Sequence, residues 1–191
     1  FTKEQNEKIS TFIDLALEFN KTHNIFSRAD NQEVFYKDIL DCHPIIQYLK
    51  KEKTALDLGS GGGFPGILLS ITKPKNKIYL IESSAKKCYF LRSAVDKLSL
   101  SNTTIINEKI TTNNTLGTFD IITARAFASI KNIIDLTQNN TNSKSKYVLL
   151  KGKEKTIKQE LNDINKNTHI YEIIKQELGP EERHVVLIKE K

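Results

Sequence analysis

The chain has 191 residues, 38% of them hydrophobic and 27% charged, with a formal net charge of +6 at pH 7. That length and balance fit one globular domain with a substantial core, and no apolar run approaches the roughly 18 residues needed to span a bilayer. The basic excess, with a pI near 9.2, attracts phosphate-rich partners, so on charge alone both nucleic acid and an acidic membrane surface stay open.

In chain order, residues 5 to 20 carry Ile9, Phe12, Ile13, Ala16, Leu17 and Asn20, a helical stripe with a solvated opposite face. A polar link through Asn24 and Arg28 follows. A second helix starts near Asp30 with Val34, Phe35, Ile39 and Leu40 inward, is interrupted at His43-Pro44 and resumes briefly to Leu49. Residues 1–52 therefore read as an N-terminal helical cap.

From residue 53 to 191 the texture alternates between strand and helix. Thr54 to Leu58 is a strand, followed by a glycine loop and a helix from Pro65 to about Ile71. Lys77 to Glu82 is the second strand, and Ala85 to Leu98 a helix with Cys88, Leu91, Val95 and Leu98 on one stripe. Strands at Thr104 to Asn107 and Phe119 to Thr123 precede a helix at Ser129 to Leu136. The asparagine-rich stretch Gln138 to Lys146 reads as a loop without functional signal. Tyr147 to Leu150 is a strand and Lys153 to Ile164 a helix. Ile170 to Glu177 and His184 to Lys189, joined through Leu178-Gly179-Pro180, leave no room for a helix and must pair antiparallel. The expected fold is a doubly wound, mostly parallel seven-stranded α/β sheet with a C-terminal antiparallel hairpin, in a single domain.

The strongest motif is Asp57 to Gly66, Asp-Leu-Gly-Ser-Gly-Gly-Gly-Phe-Pro-Gly. A tight strand-to-helix turn needs residues without Cβ, for positive φ and for close backbone approach to a ligand, which selects Gly59 and Gly61. A dinucleotide fingerprint wants glycine at position 64 so that a pyrophosphate can sit on the helix N-terminus. Phe64 stands there, and Pro65 removes an N–H. Both favour a cofactor without phosphate, such as S-adenosylmethionine, and the inserted antiparallel strand is the mark of class I methyltransferases. Glu82 ends the second strand where a carboxylate can accept ribose hydroxyls. Ile110 and the Thr111 backbone fall along the adenine edge, and Arg125 follows the fourth strand, facing the crevice, to meet a cofactor carboxylate or a target phosphate.

Cys42 and Cys88 lie far apart without CxxC spacing, and the four histidines are scattered, so reduced thiols, no metal and a cytoplasmic setting are expected. No stretch reads as a secretory leader; the chain starts at Phe1 and contains no methionine, which leaves its upstream sequence open. No Asn/Asp-Pro-Pro-aromatic tetrapeptide offers to cradle an exocyclic amine, and neither cysteine follows a proline as a pyrimidine-attacking nucleophile would. What remains is an acceptor with its own lone pair. Guanine N7 is one, and it needs positioning rather than a catalytic acid, base or nucleophile.

These residues carry a resemblance to the bacterial small-subunit (16S) ribosomal RNA guanine-N7 methyltransferase G family, also called glucose-inhibited division protein B. Asn24 to Ser27, Asp38 to Cys42, the glycine loop with Phe64-Pro65-Gly66, Glu82-Ser83, Lys86-Lys87, Phe90-Leu91, Arg125 to Ala128, Leu150 to Gly152 and Glu182 to His184 are similar to its motifs in order. The family's usual histidine, serine and arginine are replaced by Asp38, Cys42 and Lys109. The resemblance implies cofactor contacts at Gly59, Phe64, Ile110, Thr111 and Arg125. It also implies a guanine in 16S ribosomal RNA, free or in an assembling small subunit, with no membrane partner. Beside the motifs, Lys86, Lys87, Arg92, Lys151 and Arg183 are expected to meet RNA phosphates. The rival expectations are a methyltransferase of a small molecule or protein, with an enclosed apolar acceptor pocket, and a nucleotide-binding module without turnover.

Overall fold

In the computed structural model, which describes residues 1–25, 27, 30–50, 53–177 and 181–191, the chain enters through helix α1 (Lys3–His23). The Thr2 hydroxyl accepts from the Gln5 N–H while the Gln5 side chain accepts from the Thr2 N–H, which satisfies two donors that a helix start leaves orphaned. The buried face is Ile9, Phe12, Ile13 and Ala16. Phe26, Arg28 and Ala29 lie outside the described residues, so the link after α1 and the motif at Asn24 to Ser27 are seen only in part.

The second cap helix runs through α2 (Asn31–Val34), a π-helical turn (Phe35–Ile39), α3 (Leu40–Cys42) and a 3-10 helix (His43–Tyr48) in unbroken succession. The expected interruption at His43-Pro44 is corrected: His43 keeps helical angles (φ −52°, ψ −41°), and Pro44 sits in the first turn of the 3-10 helix, where its missing N–H costs little. In the π turn Asp38 lies beside Ile39 on the buried side, and it is 2% exposed.

Seven strands follow: β1 (Thr54–Leu58), β2 (Lys77–Ile81), β3 (Thr103–Ile106), β4 (Ile121–Arg125), β5 (Lys146–Lys151), β6 (His169–Gln176) and β7 (Arg183–Glu190). They form one sheet in the order β3-β2-β1-β4-β5-β7-β6. The first five are parallel, and β7 is antiparallel to both its neighbours, as expected for a terminal hairpin. The residues at its bend, Leu178 to Pro180, lie outside the described residues. The chain reverses direction across the sheet between β1 and β4, which opens a crevice at the C-terminal strand ends.

Helices α4 (Gly66–Thr72) and α5 (Ala85–Lys97) cover one face, and α6 (Ile130–Thr137) and α7 (Glu154–Asn162) the other. The cap shares the first core: Phe12, Ile39, Ile45 and Leu49 are buried with Ile67 and Leu91. No helix among the described residues is long and apolar enough to cross a membrane.

Two sequence boundaries move. β4 starts two residues later than expected because the Asp120 carboxylate is used sideways, accepting from the Thr54 N–H at 2.8 Å and from Lys53 Nζ at 2.8 Å. Arg125 is therefore the last residue of β4 rather than a residue beyond it. The asparagine-rich stretch is also more than a loop. Asn140 is fully buried and donates to the Gly117 carbonyl at 3.1 Å, and Ser145 Oγ donates to the Phe119 carbonyl at 2.6 Å.

Gly66 sets how closely α4 approaches the sheet. A Cβ there would lie 2.6 Å from Leu80 Cγ and 2.7 Å from Asp57 Oδ2, both in the packed interior. Gly66→Ala is expected to cost about 1–3 kcal/mol through overpacking. The check is a lowered urea midpoint at unchanged slope.

Candidate active site

The loop from β1 to α4 is shaped by Gly59, Gly61 and Gly63, at φ of 61°, 53° and 92°. The N–H groups of Gly59 and Ser60 donate to the Ile81 carbonyl, which ties the loop to the end of β2. A Cβ on Gly59 would lie 2.4 Å from Phe127 Cδ2, so the Phe127 ring rests directly on that α-carbon. A Cβ on Gly61 would meet only the Gly59 carbonyl oxygen, at 3.6 Å. Within the protein Gly61 is thus held to glycine by its φ, and the space above it is open for a ligand. Gly63, passed over in the sequence, lets the cap dock: a Cβ there would lie 2.8 Å from Phe12 Cζ.

A cavity of 530 Å³ opens beside this loop. Its walls are Gly59 to Gly62 and Phe64 from the loop, Ile25, Asp38 and Asp41 from the cap, Lys87 from α5, Arg125 and Ala126 from β4 and its exit, Leu150 to Gly152 from β5, and Arg183 from β7. The structure thus gathers Gly59, Gly61, Phe64, Arg125, Lys87, Lys151 and Arg183 around one space. Glu82, Ile110, Thr111, Lys86 and Arg92 stand outside that lining. Among the described residues no group of His, Cys, Asp or Glu is placed to hold a metal ion.

Phe64, joined to Pro65 by a cis peptide, is 6% exposed and tilts against Phe12 with ring centroids 5.1 Å apart. Glu82 is also buried, and its carboxylate is already engaged. Oε2 accepts from the Gly61 N–H at 3.0 Å and Oε1 from the Ser84 N–H at 2.8 Å, bridging the glycine loop to the start of α5. Oε1 also accepts from Ser83 Oγ at 3.4 Å, so it is Oε2 that keeps a further lone pair for a ribose hydroxyl. Ile110 packs in the second core. The Thr111 N–H, expected to meet adenine, donates instead to the Asn114 side chain.

Arg125 faces the cavity but holds the cap. Its Nη2 donates to Asp38 Oδ1 at 2.5 Å, and Nη1 to Asp41 Oδ2 at 3.3 Å and to the Lys37 carbonyl at 3.1 Å. Its Cζ lies 5.6 Å from the Phe64 ring centre, within cation–π range. Arg183 Nε approaches Asp41 Oδ1 at 3.4 Å. Asp38 and Asp41 were not recognised in the sequence as site residues. Their signal was two carboxylates three apart, which a helix puts on one face. Burial pushes the Asp41 carboxyl above its usual range, against the pull of Arg125 and Arg183.

Below the loop, burial pushes Asp57 up to about 7, although the hydrogen bond from the Gly66 N–H favours its charged form. Asp57 Oδ2 accepts from the Gly66 N–H at 3.1 Å, and Oδ1 has no hydrogen-bond partner among the described residues.

The basic residues divide. Lys86 Nζ donates to the His23 carbonyl at 2.9 Å and so finishes α1. Lys151 Nζ donates to the Ala128 carbonyl at 2.7 Å and to Glu160 Oε2 at 2.8 Å, fastening the exit of β4 to α7. Arg92 is exposed on α5 beside Tyr89, itself 65% exposed, and Lys87 turns to the cavity. Both cysteines are free and buried, and neither lines the cavity. Burial raises the Cys42 thiol far above its usual range, and Cys88 Sγ donates to the Glu82 carbonyl, so neither is a thiolate nucleophile.

Residues 5–186 match the family model described as GidB, rRNA small subunit methyltransferase G. The ribosomal RNA small subunit methyltransferase G of Brachyspira hyodysenteriae is 35% identical over 188 residues, 97% of this chain and 91% of that protein. That of Haemophilus influenzae strain PittEE is 30% identical over 189 residues, again covering 97% and 91%. A solved SAM-dependent methyltransferase from Aquifex aeolicus superposes with a TM-score of 0.64 at 17% identity, over 85% of this chain and 100% of that one, a likeness of fold.

Proposed function

We infer what this enzyme does from a plain premise: the chain belongs to the rRNA small subunit methyltransferase G family. It is an S-adenosylmethionine-dependent ribosomal RNA methyltransferase. Its acceptor, in our reading, is N7 of a guanine in 16S ribosomal RNA, met in the cytoplasm as free RNA or within an assembling small subunit.

The observation that carries the reading is the shared cavity, in which a glycine loop with open space above Gly61 stands opposite four cationic side chains. The residues fit the cofactor. Gly61 leaves room for it, Phe64 lines its space, Glu82 Oε2 retains a lone pair for a ribose, and Asp57 Oδ1, without a hydrogen-bond partner among the described residues, lies beneath the loop. Ile110 and Thr111 lie outside the cavity lining, and the Thr111 N–H is already taken by Asn114, so neither carries this reading. S-adenosylmethionine supplies an electrophilic methyl on sulfonium; its transfer to N7 forms N–CH3, breaks S–CH3, and leaves a neutral thioether and a cationic guanine.

No proton has to move, which matches a cavity lined, among the described residues, by neither histidine nor cysteine. The protein's task is to hold the base in line and keep water out. An enclosed apolar pocket would have favoured a small-molecule acceptor; of the cations at this mouth Lys151 is held by Glu160, and Lys87 and Arg183 favour a polyanion instead. Of these, Lys87 and Arg183 are the RNA contacts we propose at the mouth, with Arg92 and Tyr89 extending them along α5.

The test is methyl transfer from labelled cofactor to small-subunit RNA and particles from a strain lacking the enzyme, with the product mapped. The label is expected on N7 of one guanine. Label on another base, or on protein alone, would overturn the acceptor. RNA affinity is expected to fall steeply with salt, and Lys87→Ala with Arg92→Ala to reduce the log–log salt slope by about 1–2. A slope unchanged in that double variant would remove these two side chains from the RNA face.

A further inference from the structure

The cap carboxylate Asp41 has no part in the function described so far, yet it occupies a chemically unusual place. Its side chain is only 10% exposed, and it lines the cavity across from the glycine loop. One oxygen, Oδ2, accepts a long bond from Arg125 at 3.3 Å. The other, Oδ1, is buried and has no hydrogen-bond partner among the described residues; Arg183 Nε lies over it at 3.4 Å without hydrogen-bond geometry. A buried carboxylate oxygen left without a donor is costly, and here burial raises the carboxyl despite two nearby guanidiniums. Such a site is completed by a ligand that brings N–H donors.

We propose that Asp41 recognises the Watson–Crick edge of the target guanine, with Oδ1 accepting from the N2 amine and Oδ2 sharing the N1–H. The inference rests on the guanine-N7 reading above. Guanine offers two adjacent donors on that edge and adenine does not, so a carboxylate selects the one and leaves its own lone pairs facing N1 of the other. The opposite edge of the base carries N7. A carboxylate on the cap wall therefore turns N7 toward the glycine loop, where the cofactor is expected.

The contact also strengthens during reaction. Methylation at N7 places a positive charge on the purine and makes its N1–H more acidic, so the anion gains attraction as the transition state forms. Arg183 has to move off Oδ1 for the base to enter. It is 36% exposed and meets that oxygen in poor geometry, while its Nη2 pairs with Glu181 and its Nη1 donates to the Glu182 carbonyl, so only the weak Oδ1 contact has to be given up.

The test uses small-subunit RNA assembled by ligation with either guanine or inosine at the mapped position; inosine lacks only the N2 amine. For the unmodified enzyme, inosine is expected to lower kcat/KM for methyl transfer by roughly tenfold or more, and to weaken equilibrium RNA binding in the absence of cofactor. Asp41→Asn is expected to lower transfer to guanine RNA while bringing the guanine-to-inosine ratio near one, with S-adenosylmethionine affinity and thermal midpoint little changed. An unmodified enzyme indifferent to inosine, or an Asp41→Asn enzyme that keeps the full ratio, overturns the inference. So does a loss confined to S-adenosylmethionine affinity, which would mean that the carboxylate holds the cofactor's ammonium. If the unmodified enzyme labels neither RNA at this guanine, it is the acceptor reading that has failed.

Discussion

Arg125→Ala is expected to abolish most methyl transfer and to lower folding stability by about 2–3 kcal/mol, from the loss of a charge-assisted contact to the buried Asp38 and of a second to Asp41. Both losses come from one geometry. The guanidinium ends β4 at the crevice, and its fork reaches Asp38, 2% exposed, and Asp41 on the cap. Without it, two carboxylates face each other at the seam between cap and sheet, and the cation over Phe64 disappears. Among the described residues three of its five N–H donors are used in these contacts and two are left for a cofactor carboxylate, so one residue can brace the cap and meet the ligand. Arg125→Lys separates the roles. A lysine keeps the charge but cannot place parallel donors on two carboxylates, so it should recover part of the stability and little of the transfer. Urea unfolding and cofactor titration on both variants provide the check. An Arg125→Ala protein with the unmodified midpoint and cofactor affinity would reduce this residue to a bystander.

The parts of this molecule legible in its sequence are those governed by local rules. The glycine loop is readable because a strand that turns at once into a helix needs positive φ, as found at Gly59 and Gly61; Gly63 shares it but serves the docking of the cap. The face of α1 is readable from its period, and the β6–β7 hairpin from the lack of residues for a crossover helix. What escaped depends on partners distant in the chain. Asp38 meets Arg125 across 87 residues, from a π-helical turn that no simple period announces. Lys86 and Lys151 stand beside motifs and so looked like RNA contacts, yet each nitrogen has an internal carbonyl to serve. Sequence neighbourhood says which side chains are near a site; only the fold says which of them are already occupied. Asn140 makes the same point in reverse, since its polar surroundings in sequence hide a fully buried side chain.

Asp57→Asn is expected to stabilise the protein above neutral pH while weakening its hold on S-adenosylmethionine. The carboxyl is 1% exposed, and burial pushes it up to about 7 from an ordinary value of 3.8. Between those values the folded chain keeps a proton that the unfolded chain has released. Stability therefore falls as pH rises through that window and levels off above it, where the penalty of a buried anion is fully present. Asparagine keeps the oxygen that accepts from the Gly66 N–H but cannot ionise. The two proteins should thus be similar in stability near pH 4 and diverge toward pH 7, on the order of a few kcal/mol, with the variant the more stable. A cationic cofactor seated on the loop above would lower the cost of this buried anion, whose Oδ1 has no hydrogen-bond partner among the described residues. Cofactor binding near pH 7 should then drive a proton off Asp57 in the unmodified protein and none from the variant. Calorimetry in buffers of different ionisation enthalpy reads that difference directly. A variant that is less stable at every pH, or that takes up and releases protons as the unmodified protein does, would show that Asp57 is not the titrating group beneath the loop.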